Sequence, residues 1–163
     1  MMQNKVFIQE AYKMIELKEL DGNALSSILE KYLIEHKIDK DGDIALDSDS
    51  GLYIRVDKEN ERIRFFAFIH NSSLVAVEDE DFNVYLDFIN AFSYFVKFSK
   101  LKPIKERTPL LCESCLVASG TADDVFIIKT IRRIEREISD AKKAVIDFKT
   151  TVEEIIKNDR ETA

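Results

Sequence analysis

The sequence predicts an α+β fold: an antiparallel sheet of four to five strands with helices packed on one face, an extra N-terminal helix and a long C-terminal helix. Three observations predict it. Residues 121–157 contain no Gly or Pro and carry an unbroken heptad stripe, with Ile131, Ile138, Val145 and Val152 at one seam position and Ile134, Ala141, Phe148 and Ile155 at the other. Residues 44–70 instead alternate with a period of two, the pattern of a half-buried sheet. Only four Gly and two Pro occur in 163 residues, which implies regular elements joined by short connections.

Taken in order, residues 3–20 read as a helix whose apolar face holds Phe7 or Ile8, Ala11 with Tyr12, Ile15 and Leu20. Asp21-Gly22-Asn23 breaks it, and Asn23 is placed to cap a second helix through about residue 37, with Leu25, Ile28, Leu29, Tyr32 and Leu33 as its buried stripe. A turn at Asp39-Lys40-Asp41-Gly42 leads into three strands. Ile44 and Leu46 mark the first, and Leu52, Ile54 and Val56 alternate with Tyr53, Arg55 and Asp57 in the second. The third puts Ile63, Phe65, Ala67 and Ile69 on one face and Arg64, Phe66, Phe68 and His70 on the other. The links at 48–51 and 58–61 are short and polar, as hairpins require.

The acids Glu78, Asp79, Glu80 and Asp81 suit the positive end of a helix running to about Lys100. In that helix Phe82, Tyr85, Ile89, Phe92 and Val96 form a core-facing line, flanked by Phe88, Phe95 and Phe98. Pro103 and Pro109 leave residues 104–108 as an edge strand at best. Residues 110–118 form an apolar strand holding both cysteines; Ser119-Gly120 ends it, and Thr121 caps the last helix with Asp123 and Asp124 in its first turn. The reading is one domain over 1–163, with a core at about 23–145 and helical extensions at 3–20 and 146–158.

Composition excludes several classes. A chain that is 45% hydrophobic and 34% charged folds rather than staying disordered. Its net charge of −7 disfavours nucleic acid and anionic membrane as main partners, since both need excess Lys and Arg. No apolar run approaches the ~20 residues that span a bilayer, and the start lacks a secretory h-region. The expected location is cytoplasmic. Charge is segregated along the chain: residues 39–61 hold eight acids and three bases, whereas residues 97–107 hold five bases and one acid, so the surface is expected to be dipolar. A simple solvated face is the first reading of the basic stripe, with steering of an acidic protein partner or self-association with an acidic patch as the alternatives.

No catalytic constellation emerges: there is no glycine-rich phosphate loop, no GxSxG and no HExxH. The protein is therefore read as not an enzyme, with no catalytic residues, no cofactor and no metal. Cys112-Glu113-Ser114-Cys115 is a single CxxC inside a strand, where residues three apart point to opposite faces, and a zinc site needs two further ligands. Structural thiols are expected, with a thiol- or metal-dependent role for Cys112 and Cys115 as the alternative. The acidic run from Asp39 lacks the Gly at position six and the Glu at position twelve of a calcium loop. The candidate contact surface for another polypeptide or a second copy is Phe88, Phe95 and Phe98 together with Val145, Phe148, Val152 and Ile155. The far end of the stripe is expected to pack on Phe7, Ile8, Ala11 and Ile15, within one chain or across a dimer.

Three passages carry a family resemblance: Asp41-Gly42-Asp43-Ile44 leading to Leu52-Tyr53-Ile54-Arg55-Val56; Phe88-Ile89-Asn90-Ala91-Phe92; and Leu116-Val117-Ala118 running into a capped amphipathic helix. With the order helix, three-stranded meander, helix, two strands, helix, residues 23–145 resemble the YbjN-like family of bacterial sensory transduction regulators, which share the type III secretion chaperone-like fold. The resemblance implies a small, acidic, non-enzymatic protein, often dimeric, that binds other polypeptides: a chaperone-like module or signalling regulator. A purely structural self-associating module is the alternative. The helices at both ends exceed the family core, which sets this chain apart from the chaperones' way of holding a client.

Overall fold

A computed structural model describes residues 14–69, 79–102 and 109–162. The first described residues do not continue a helix. Ile15–Glu16 form a short strand, β1, followed by a single 3-10 turn at Leu17–Glu19. β1 pairs antiparallel with β8 (Thr121–Ala122), Ile15 opposite Ala122, and the Leu17 amide donates to the Gly120 carbonyl at 3.0 Å. The expected helix over 3–20 is thus corrected at its C-terminal end, while residues 3–13 lie outside the described residues. The pattern misleads because Ile15 is placed by strand pairing and Leu20 is buried after a single turn, neither needing a helix.

α1 spans Gly22–Lys31 and is capped by Asp21, not Asn23: the Asp21 carboxylate accepts from the Ala24 amide at 2.8 Å. Leu25, Ile28 and Leu29 are buried as expected. The helix stops six residues before position 37. Leu33 enters the left-handed region at φ 55°, and the Leu33 and Ile34 amides return to the carbonyls of Glu30 and Leu29, both at 3.0 Å. That is a Schellman ending without its usual glycine, so composition gives no sign of it. The freed residues form β2 (His36–Ile38), an edge strand.

β3 (Ile44–Leu46), β4 (Tyr53–Asp57) and β5 (Arg62–Ile69) make the expected meander. α2 covers Asp79–Phe92 and ends eight residues short of Lys100. The remainder becomes β6 (Lys97–Lys100), paired with β7 (Leu110–Val117). The main sheet has six antiparallel strands in the order β2-β3-β4-β5-β7-β6, against the four or five expected. α3 then runs from Asp124 to Thr162, capped by Asp123, whose carboxylate accepts from the Phe126 amide at 2.7 Å, rather than by Thr121.

Ile63, Phe65, Ala67 and Ile69 of β5, Leu110 and Cys112 of β7, and Phe98 of β6 share one buried cluster with Ile127, Ile131, Ile134, Ile138 and Ala141 of α3. Burial of this size is the main favourable term, each large side chain contributing roughly 1.5–3 kcal/mol. Polar contacts also tie α3 to the loop between β3 and β4. Lys142 donates to the carbonyls of Asp49 and Ser50 at 2.7 and 2.8 Å, and buried Glu135 accepts from Ser50 and from Arg132. At the other end, Lys31 of α1 pairs with buried Asp124.

Candidate functional site

The residues singled out from the sequence divide three ways. Phe98 lies on β6, not on a helix, and is only 3% exposed; it belongs to the core and is withdrawn from the contact surface. Phe95 follows α2 in the loop to β6 and is 43% exposed, with the Arg133 guanidinium 4.5 Å over its ring. Phe88 lies on α2, and Val145, Phe148, Val152 and Ile155 on α3; their side chains lie outside the described residues. Phe7, Ile8 and Ala11 are outside them too. For Ile15 the packing within one chain is corrected: it sits in β1 beside the start of α3, whereas Val145 is 21 residues further along that helix, about 30 Å at 1.5 Å per residue, a distance that bears only on the within-chain alternative.

The corner after α2 is built by two side chains. Asn90 accepts from the Phe98 amide and donates to the Phe98 carbonyl, both at 2.9 Å, so its amide acts as a one-residue strand on the outer edge of β6. Glu137 of α3 accepts from the Phe95 and Val96 amides, both at 3.0 Å. The chain is thereby turned so that Ile89 and Val96 are buried while Phe92, expected in the core line, is 68% exposed and Tyr94 85% exposed. Phe92, Tyr94 and Phe95 form an aromatic corner. Beside it a groove of about 190 Å³ runs between Ile89, Phe92 and Ser93 on one wall and Glu137, Asp140, Ala141 and Ala144 on the other. Small residues at 141 and 144 leave that space open at the point where the buried stripe of α3 ends.

The other surface is the sheet face turned away from the core cluster, which sequence reasoning defined but did not single out. Tyr53 stacks on Phe66 with centroids 5.5 Å apart, and Phe68 meets Phe66 edge-on at 6.1 Å. Arg55 and Arg64 lie over the same Phe66 ring. Each arginine is also paired: Arg55 with Asp43, Arg64 with Glu113 and, further along, Arg62 with Asp57. The Arg62 guanidinium beside Asp57 holds that carboxyl below its ordinary value of 3.8. The acidic turn is self-contained, Asp39 accepting from the Asp41 and Asp43 amides at 2.8 and 3.0 Å.

The two cysteines fall on opposite faces of β7. Cys112 is buried, and burial pushes its thiol up to about 12; Cys115 is exposed. They cannot share an ion across the sheet. No cluster of three or more His, Cys, Asp or Glu able to hold a metal occurs among the described residues. His36 is held by Ser26 at 2.7 Å and the Ile34 carbonyl at 2.8 Å. Among the described residues no helix is long and apolar enough to cross a membrane.

No family model matches the chain, and no curated protein matches it by sequence. Solved structures do match by shape. The crystal structure of YbjN from E. coli, described as a candidate transcription regulator, superposes with a TM-score of 0.62 at 17% identity, over 75% of this chain and 88% of that one. An uncharacterized protein from Methanothermobacter thermautotrophicus superposes with a TM-score of 0.58 at 12% identity, over 78% of this chain and 98% of the other. At such identities the likeness is one of fold, and the fold of this chain is YbjN-like.

Proposed function

We propose that this is a non-catalytic protein-binding module of the chaperone-like or signalling-regulator type, dimeric and cytoplasmic. The observation that carries the reading is the aromatic corner of Phe92, Tyr94 and Phe95 beside the groove between α2 and α3. Three large rings exposed at the end of α2 and on the loop after it cost solubility unless a partner covers them, and aromatic residues with an adjacent arginine are the residue types that anchor protein interfaces. In the sequence the heptad stripe of α3 continues past Ala141 through Val145, Phe148, Val152 and Ile155, and these residues with Phe88 are the remainder of the proposed contact surface. Phe98 takes no part.

The test is affinity capture from the organism that encodes the protein, comparing the natural chain with Phe95→Asp and Phe148→Asp. A polypeptide retained by the natural chain and lost from both variants, with their melting temperatures preserved, is the expected result. Retention of the same polypeptide by both variants sinks the proposed surface. Capture of nothing but further copies of the chain selects the self-associating module instead.

A further inference from the structure

Across the middle of the sheet the register aligns Tyr53, Phe66, Glu113 and Lys97 in one row, and Arg55, Arg64 and Cys115 in the next. All project from the face opposite the core. The three arginines and Glu113 of this face remain open to solvent, Arg64 at 28%, Glu113 at 38%, Arg62 at 40% and Arg55 at 43%, while Asp43 and Asp57 lie beneath their arginines at 5% and 16%. We propose that this face is where two copies of the chain meet, sheet against sheet. The inference rests on the dimeric part of the reading above and assigns it a surface distinct from the aromatic corner.

Charge favours a second copy as the occupant. The chain has 24 bases against 31 acids, so two copies repel over most of their surfaces. On this face Arg55, Arg62, Arg64 and Lys97 meet Asp43, Asp57 and Glu113, which is close to balance. A face whose charges alternate is complementary to itself under a two-fold axis, where Arg64 can turn to the exposed Glu113 of the other copy. The same pairing disfavours a polyanion, because phosphates would have to displace a carboxylate from every guanidinium.

Residue type and size agree. Tyr, Phe and Arg are the types enriched at the centres of protein interfaces. The six strands, of three to eight residues at ~3.3 Å per residue and ~4.8 Å spacing, give a plane of roughly 500 Å² before side-chain relief, approaching the low end of the ~600–1,000 Å² per partner of a standard interface.

Sedimentation equilibrium of the full chain tests this, with Phe68→Glu and Val117→Glu each placing a carboxylate on the face. The natural chain should run at twice its 18.9 kDa mass, and each variant should halve that mass while keeping its far-UV spectrum. Should Phe68→Glu fail to fold, Val117, 64% exposed at the rim, still reads the face. An independent measurement needs no substitution: maleimide reaches Cys115 but not buried Cys112, so alkylation should slow as concentration drives dimerisation. Two folded variants that keep the doubled mass, or a Cys115 rate independent of concentration, overturn the proposal. If Phe148→Asp alone halves the mass, the dimer stands and this face is the wrong one; if the natural chain is monomeric at its highest soluble concentration, both fail together. Tight binding of a single-stranded oligothymidylate that Phe68→Glu abolishes would give the face to nucleic acid instead.

Discussion

The two faces of the central sheet are made by the same strands and differ in every other residue. On β5, Ile63, Phe65, Ala67 and Ile69 are at most 4% exposed and pack into a cluster with α3, while Arg62, Arg64, Phe66 and Phe68 stand in partial contact with water. Phe65 and Phe66 are adjacent, chemically identical and environmentally opposite. One face stabilises by removing apolar area from water. The other holds rings in place with guanidiniums and carboxylates, a weaker arrangement that stays in contact with water. A residue's contribution here follows its parity along the strand more than its type.

Substitutions at the two neighbouring phenylalanines test that contrast most directly. Phe65→Ala should cost about 3–5 kcal/mol in chemical denaturation, because it opens a cavity in a packed core. Phe66→Ala in the monomer should cost on the order of 1–2 kcal/mol, the worth of its ring stacking and cation contacts. Equal costs would show that the far face is a second core. Asn90→Ala should fall between them, at roughly 1–3 kcal/mol, since it strips both outward backbone groups of Phe98 of their partners.

Acid should separate the faces further. Asp57 on the far face and Asp124 at the start of α3 are both held below 3.8, by hydrogen bonds from Arg62 and Lys31 respectively. A depressed carboxylate contributes stability that is fully present above the unfolded value and fades as pH falls through the folded one. Stability should therefore hold level down to about pH 4 and decline below it, with Asp57→Asn flattening part of that decline in a denaturation series against pH. A decline that begins near neutrality would point to other groups. The thiols give the smallest and cleanest readout: dilute native protein should bind one equivalent of an alkylating reagent, at Cys115, and a second only after unfolding exposes Cys112.

The strand periodicity of residues 53–57 and 62–69 was legible because parity alone assigns a face, and all four core positions of β5 lie where alternation puts them. The buried part of the α3 stripe, Ile131 to Ala141, was equally legible from its heptad spacing. Less of the candidate site could be read. Phe92 and Phe98 exchange roles relative to a continuous helix, the one exposed and the other buried, because the chain leaves the helix between them. The open sheet face was visible as a list of outward residues, yet the pairing of each arginine with a carboxylate on another strand or turn was not.

By itself, then, the sequence determined the α+β class, the meander, the long final helix and the side of each strand that is buried, since these follow from periodicities of 2 and 3.6 within a single segment. Tertiary structure decided where elements stop. Lys97–Lys100 is a strand because β7 supplies its hydrogen bonds from one side and Asn90 from the other, and neither partner is local. α1 ends at Lys31 because Leu33 takes a left-handed conformation that nothing in its own chemistry favours, which the burial of Ile34 offsets. Ile15 is drawn from its expected helix by pairing with a strand more than a hundred residues away. The strand at Lys97–Lys100 and the pairing of Ile15 rest on hydrogen bonds between separate segments, the end of α1 on a local turn without its glycine, and no pattern of apolar residues records any of them.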